Sequence, residues 1–156
     1  MYLKKNDIAP DFALYDTEKN LVKLSDQRGK NVVILFFPLA FTGVCTKELC
    51  ATRDSIGDYD QLDAQVFAIS VDTPFSLAKF KEEQNLNFPL LSDFNKTAAR
   101  AYGAYYDEFV LGLKGVAKRS AFVVDKDGKI QYAEVLDDAG QLPDFNAVKE
   151  TLANLN

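Results

Sequence analysis

Histidine is missing from all 156 residues of the chain. Its absence removes Ser-His and Cys-His dyads, the imidazole general base and every histidine-ligated metal site. Cysteine occurs only twice, too seldom for a four-thiolate zinc site. A nucleophile here must therefore be activated by local electrostatics. That condition suits a thiol better than a serine hydroxyl, because a thiol is already close to ionising near neutral pH. Runs of Lys or Arg are missing as well, and 18 basic residues against 23 acidic ones leave a net charge of -5. An acidic surface repels phosphate backbones and anionic lipid, which excludes nucleic acid and membrane as general partners. No apolar run has the length of a signal peptide or a membrane span. Two cysteines without an export signal suit a reducing compartment, so the expected location is cytoplasmic. Repeats, low-complexity segments and Ser/Gly-rich linkers are also absent.

What is present reads as one domain over residues 1–156. A chain of this length buries roughly 68–70% of its unfolded surface, enough for a core without disulfide or metal staples. Phe12 to Tyr15 and Leu21 to Leu24 flank a polar turn and are expected to pair as a hairpin. Val32 to Phe37 is a continuous β-branched and aromatic run, the pattern of a central strand covered on both faces. Pro38 ends it, and Val44 to Ile56 read as a helix with Val44, Leu49, Thr52 and Ile56 on its packed side. A second buried strand spans Val66 to Val71 and a helix Phe75 to Gln84. A short strand over Phe88 to Leu91 and a short helix over Lys96 to Tyr102 follow. Asp127-Gly128 between two alternating runs, Ser120 to Asp125 and Lys129 to Val135, is a strong hairpin signal. Asp144 to Leu155 close the chain as a helix. Strands interleaved with helices describe an α/β sandwich, a mixed sheet with helices on both faces.

The chemistry concentrates just after the first central strand, in Pro38-Leu39-Ala40-Phe41-Thr42-Gly43-Val44-Cys45-Thr46-Lys47-Glu48-Leu49-Cys50. The carboxyl end of a central strand is where α/β folds place ligands. Cys45 is expected in the first turn of the following helix, with Thr42 capping it. There the free N–H groups and the helix dipole favour a thiolate and can hold a developing oxyanion. Free cysteines are often just small buried hydrophobes, but a position in a Gly-containing turn favours the reactive reading. Glu48 falls on the same helix face as Cys45. It reads either as a clamp on Arg119 or Arg53, or as a solvated helix charge. Arg53 and Asp54 read as a structural ion pair, and Tyr102, Tyr105 and Tyr106 as packing or a dimer surface.

Pro38, Thr42 and Cys45 form P-x-x-x-T-x-x-C, which resembles the active-site signature of the peroxiredoxins. Arg119, just before the strand Ser120 to Asp125, sits where that constellation has its arginine. The likeness runs from Ala9-Pro10-Asp11-Phe12 to Val123-Val124-Asp125-Lys126-Asp127-Gly128. It implies a thioredoxin-like sandwich with an N-terminal hairpin extension, working without a cofactor or metal. It also implies a thiol peroxidase acting on hydrogen peroxide and organic hydroperoxides. In that scheme Cys45 attacks the peroxide, Arg119 keeps the thiolate ionised, Thr42 orients the substrate and Pro38 shields the sulfur. The implied partners are a hydroperoxide and a thioredoxin-like or low-molecular-weight thiol reductant, with a homodimer through the edge near the site.

The spacing Cys45-Thr-Lys-Glu-Leu-Cys50 resembles the Q-type branch, in which a cysteine five residues on resolves the sulfenic acid as an internal disulfide. Pro38-Leu39-Ala40-Phe41-Thr42-Gly43 looks more like the E-type branch, which commonly lacks that cysteine. On one intact helix, residues five apart have Cα atoms roughly 8.6 Å from each other, and a disulfide tolerates at most about 7 Å. The bridge therefore requires local unwinding of the helix. The other route leaves Cys50 buried and reduces Cys45 with an external thiol. No cysteine follows Cys50, so the inter-subunit disulfide of the typical two-cysteine branch is not expected. Two further classes share the chemistry. A thioredoxin-like disulfide reductase has the same fold but needs cysteines two residues apart and a proline where Arg119-Ser120 stands. A peroxide sensor uses the same thiol without turnover.

Overall fold

The computed structural model describes residues 3–156. Seven strands form one mixed sheet. They are β1 (Ala13–Asp16), β2 (Leu21–Lys23), β3 (Asn31–Phe36), β4 (Ala64–Ser70), β5 (Leu90–Ser92), β8 (Ser120–Val124) and β9 (Ile130–Val135). β6 (Tyr105–Tyr106) and β7 (Val116–Ala117) make a separate ribbon. The sheet order is β2-β1-β5-β4-β3-β8-β9. β3, β4 and β5 run parallel, while β8 and β1 pair antiparallel to the two sides of that core.

The helices are α1 (Gly43–Asp54), α2 (Ile56–Gln61), α3 (Pro74–Gln84), α4 (Thr97–Ala101) and α5 (Phe145–Leu155). Every residue of β3 is buried, and strand alternation splits its side chains between two cores. Val33, Leu35 and Phe37 pack with Leu49 of α1, Tyr59 of α2, Phe80 of α3 and Leu152 of α5. Val32, Ile34 and Phe36 pack with Leu14, Phe122, Tyr102 and the alanines of α4. Helices thus cover both faces of a thioredoxin-like sandwich, four on one side and a short one on the other. Truncating an aromatic in either cluster, Phe36 or Phe80 for example, costs about 3–5 kcal/mol.

The N-terminal hairpin and the Asp127-Gly128 hairpin both form. Asp125 accepts from the backbone N–H of Asp127 and of Lys129 and so holds the second turn. The helix expected from Val44 to Ile56 ends instead at Asp54, and Ile56 begins α2. Its buried face is Cys45, Glu48, Leu49 and Thr52. Val44 is only half-buried and lies on the groove side. Glu48 is buried on this face against the Arg119 cation, so the inward stripe of α1 runs through Cys45 and Glu48 and leaves Val44 to the groove. Tyr102 is fully buried and its hydroxyl donates to the Pro10 carbonyl, while Tyr106 donates to that of Leu136, so these two pack within the chain.

Among the described residues no helix is long and apolar enough to cross a membrane, and no cluster of Cys, Asp and Glu could hold a metal.

Candidate active site

Phe37 extends the β3–β4 ladder by one rung, donating its N–H to the Ile69 carbonyl, and Pro38 ends the ladder because it has no N–H to give. The chain then reverses through Phe41, which holds φ at +66°. A left-handed phenylalanine costs of order 1–2 kcal/mol. Its ring stacks edge-on to Phe80 at 5.1 Å, which offsets part of that strain. Gly43, expected as the turn residue, is the first residue of α1. On the other side of the loop, Asp72 accepts from the backbone N–H of Ala40 at 2.8 Å and from the Ser70 hydroxyl at 2.6 Å. Asp72 thus ties the loop to the end of the neighbouring parallel strand. Its sequence signal was only its place at a strand's carboxyl end.

Thr42 is the N-cap residue by backbone conformation, but its hydroxyl does not cap the helix. It donates to the Leu39 carbonyl at 2.8 Å, a correction to the capping expectation. The first rung of α1 is Thr46 N–H to the Thr42 carbonyl. The first-turn amides of Gly43, Val44 and Cys45 therefore have no intrahelical acceptor, and no side chain caps them.

Cys45 sits in this first turn, 1% exposed. The Arg119 guanidinium, 2% exposed, reaches it from the start of β8. Nη2 donates to Cys45 Sγ at 3.2 Å, Nη1 to Glu48 Oε1 at 2.8 Å, and Nε to the Ala139 carbonyl at 2.9 Å. Three donors of one rigid fork thus fix the arginine. Burial disfavours its charge, but Glu48 and Cys45 outweigh that and hold the group above its ordinary value. Glu48 is fully buried, and desolvation raises it to about 7 despite the opposing pull of Arg119. The carboxylate therefore meets Arg119 and not Arg53. Arg53 pairs with Asp54 at 2.9 Å and donates to the Gln84 carbonyl at 2.7 Å.

Pro38 is buried two residues after the end of β3. Thr42 and Arg119 form the polar part of an otherwise apolar groove of about 260 Å³, lined by Val44, Phe109, Val110 and Ala139. A larger hollow of about 450 Å³, walled by Thr17, Glu18, Lys81 and Glu82, includes neither thiol.

Cys50 stands apart from this cluster. Both cysteines are free, and α1 is unbroken between them. Cys50 Sγ donates to Gln84 Oε1 of α3 at 3.4 Å. Arg53 and Asn87 add two more ties between the second half of α1 and the end of α3.

This arrangement has clear relatives. The family model described as AhpC/TSA matches residues 6–133. Alkyl hydroperoxide reductase E of Mycobacterium tuberculosis is 39% identical over 150 residues, which cover 94% of this chain and 94% of that protein. Peroxiredoxin Bcp of Escherichia coli is 37% identical over 138 residues, 87% of this chain and 86% of the relative. Among solved structures, peroxidoxin BcpB of M. tuberculosis superposes with a TM-score of 0.87 at 30% identity, covering 99% of both chains.

Proposed function

The chain belongs to the AhpC/TSA family and is a peroxiredoxin, a thiol peroxidase, and from that premise we propose that Cys45 is its peroxidatic nucleophile. One observation carries the assignment: a buried guanidinium donates to Cys45 Sγ while a second contact, to the Glu48 carboxyl, holds that guanidinium in place. The Cys45 thiolate attacks the terminal oxygen of a hydroperoxide and the O–O bond breaks. Sulfur becomes a sulfenic acid, and the leaving alkoxide or hydroxide takes a proton to give an alcohol or water. Arg119 offsets the thiolate charge, and the first turn of α1, which contains Cys45, leaves its amides free to hold a developing oxyanion.

Thr42 spends its one hydroxyl proton on Leu39, so its oxygen presents lone pairs to the groove. It accepts from the O–H of the incoming hydroperoxide and thereby selects the protonated substrate. Pro38 contributes no N–H and limits water at the sulfur.

Cys50 then attacks the sulfenic sulfur, a disulfide forms and water leaves. Because α1 is intact across both residues, the first part of the helix must unwind before the sulfurs can meet. A dithiol such as thioredoxin, or a low-molecular-weight thiol in a reducing cytoplasm, returns both thiols. The disulfide-reductase reading gains nothing from this site: such a nucleophile must reach a protein disulfide, and Cys45 is 1% exposed.

Replacing the arginine tests the assignment. Arg119→Met is expected to slow Cys45 oxidation by hydrogen peroxide about 10²–10³-fold. Arg119→Lys, which keeps the charge but loses the fork, falls between. A wild-type rate in both variants removes Arg119 from the proposed role.

A further inference from the structure

The Arg119 guanidinium has two buried acids on it and charge enough for one. Nη2 faces Cys45 Sγ at 3.2 Å and Nη1 faces Glu48 Oε1 at 2.8 Å, with the sulfur and the carboxyl at 1% and 0% exposure. If both acids ionised, the cluster would carry a net negative charge in a region without solvent, the arrangement that desolvation and like-charge repulsion penalise most. Glu48 Oε2 shows where a proton can go: it is buried and has no hydrogen-bond partner among the described residues. An ionised carboxylate seldom leaves an oxygen so placed, whereas a carboxylic acid bears its proton there without losing the Oε1 contact.

We propose that Cys45 and Glu48 share one proton across Arg119, so that Glu48 holds it while the sulfur is a thiolate and yields it once the sulfur is oxidised. The proposal rests on the peroxidatic reading of Cys45. Its balance is closed. Before reaction the cluster is thiolate, guanidinium and carboxylic acid. After it, the cluster is sulfenic acid, guanidinium and carboxylate. Sulfur gives two electrons to the peroxide, the O–O bond is replaced by S–O, and the proton lost by Glu48 equals the one gained by the leaving oxygen. The buried site is neutral at both ends. Glu48 acts through Arg119 and not on the substrate, so it is a positioning residue.

The other groups on the carboxyl do not compete for the proton. Tyr59 of α2 is held neutral because burial, then Asp58 and Glu48, push it up to about 12. Lys149 of α5 lies against the Tyr59 ring and pairs with Asp58 at 3.0 Å. The direction in which burial moves Glu48, toward protonation near neutral pH, agrees with the assignment.

Proton counting tests it. Reduced protein in weak buffer with an indicator dye is oxidised by hydrogen peroxide slightly below neutral pH, with ultraviolet thiolate absorbance followed in parallel. A Cys50→Ser background holds the product at the sulfenic acid. The expected uptake from solvent is well under one proton for each thiolate lost, and close to one in Glu48→Gln, where no store remains. Thiolate absorbance in Glu48→Gln should appear at nearly the same pH as in the parent, because Glu48 already carries no charge while the sulfur is a thiolate. Gln still accepts from Arg119, and a carboxyl that stayed ionised as a clamp would instead oppose the thiolate by like-charge repulsion, so a profile displaced to distinctly lower pH in Glu48→Gln would overturn the proposal. One full proton taken up per thiolate by the parent protein would overturn the proposal, even if the Gln variant did not fold. Absence of oxidation altogether would instead overturn the peroxidatic reading of Cys45.

Discussion

Thr42 and Glu48 show how much of this site depends on where single protons lie. The Thr42 hydroxyl is committed as a donor to Leu39, leaving only acceptor capacity for a ligand. Thr42→Val should therefore lose the contact to the hydroperoxide O–H and slow Cys45 oxidation by about 10²-fold. Thr42→Ser should stay within about ten-fold of wild type, since a serine hydroxyl makes both contacts but lacks the stiffening methyl. Initial rates at limiting peroxide measure both, and equal losses in the two variants would assign Thr42 to loop structure alone. At this scale the sequence was informative about residue type and poor about role. Cys45, Thr42 and Arg119 stand in a motif, but whether Thr42 caps the helix or bonds Leu39 depends on the Phe41 backbone, and φ at +66° in a phenylalanine leaves no mark in the sequence.

At the scale of the element, the proposed resolution by Cys50 asks α1 to serve two incompatible geometries. Intact, it places Cys45 against Arg119 and Cys50 against Gln84. Partly unwound, it lets the thiols meet. The ties from Cys50 and Arg53 to Gln84, and from Asn87 to the Arg53 carbonyl, oppose that opening. Gln84→Ala removes the Cys50 acceptor while leaving the backbone carbonyl for Arg53. One hydrogen bond is worth about 1 kcal/mol, so disulfide closure after the sulfenic acid forms should quicken about five-fold. Loss of the second thiol, followed by rapid quench and mass measurement, reads this rate. A slower closure would mean that Gln84 positions Cys50 for attack and does not restrain it. Strands β3, β4, β8 and β9, both hairpins and helices α3 and α5 were legible in the sequence, because apolar run length, Thr73-Pro74 and Asp127-Gly128 are local signals. The end of α1 and the start of α2 were not, since Ser55 breaks the helix without Gly or Pro. The inward face of α1 was legible at Leu49 and Thr52, and the hydrophobic pattern passed over Glu48 for another reason. Glu48 looks polar to any hydrophobic pattern, and only a cation 71 residues away buries it.

On the scale of the whole molecule, a buried acid raised to about 7 couples stability to pH. In the unfolded chain a glutamate titrates near its ordinary value of 4.5. The folded state therefore binds the Glu48 proton more tightly. That contribution is fully present below pH 4.5, and it is lost as pH rises through about 7. It amounts to at most about 3 kcal/mol. The stability difference between wild type and Glu48→Gln should shift across this window in the direction that disfavours wild type at higher pH, and urea midpoints at a series of pH values measure it. A flat difference would mean that Glu48 is ionised throughout.

The family assignment, the thioredoxin-like sandwich and the convergence of Arg119 on Cys45 all bear on a single chemical claim, that Cys45 reduces peroxide. Its most direct measurement mixes pre-reduced protein with one equivalent of hydrogen peroxide in a stopped-flow, for wild type and Cys45→Ser, and then counts free thiols. The account predicts oxidation far faster than that of free cysteine, abolished in Cys45→Ser, with both thiols lost in wild type. One thiol remaining would send resolution to an external thiol. Oxidation no faster than that of free cysteine, or a Cys45→Ser variant as fast as wild type, would contradict the claim.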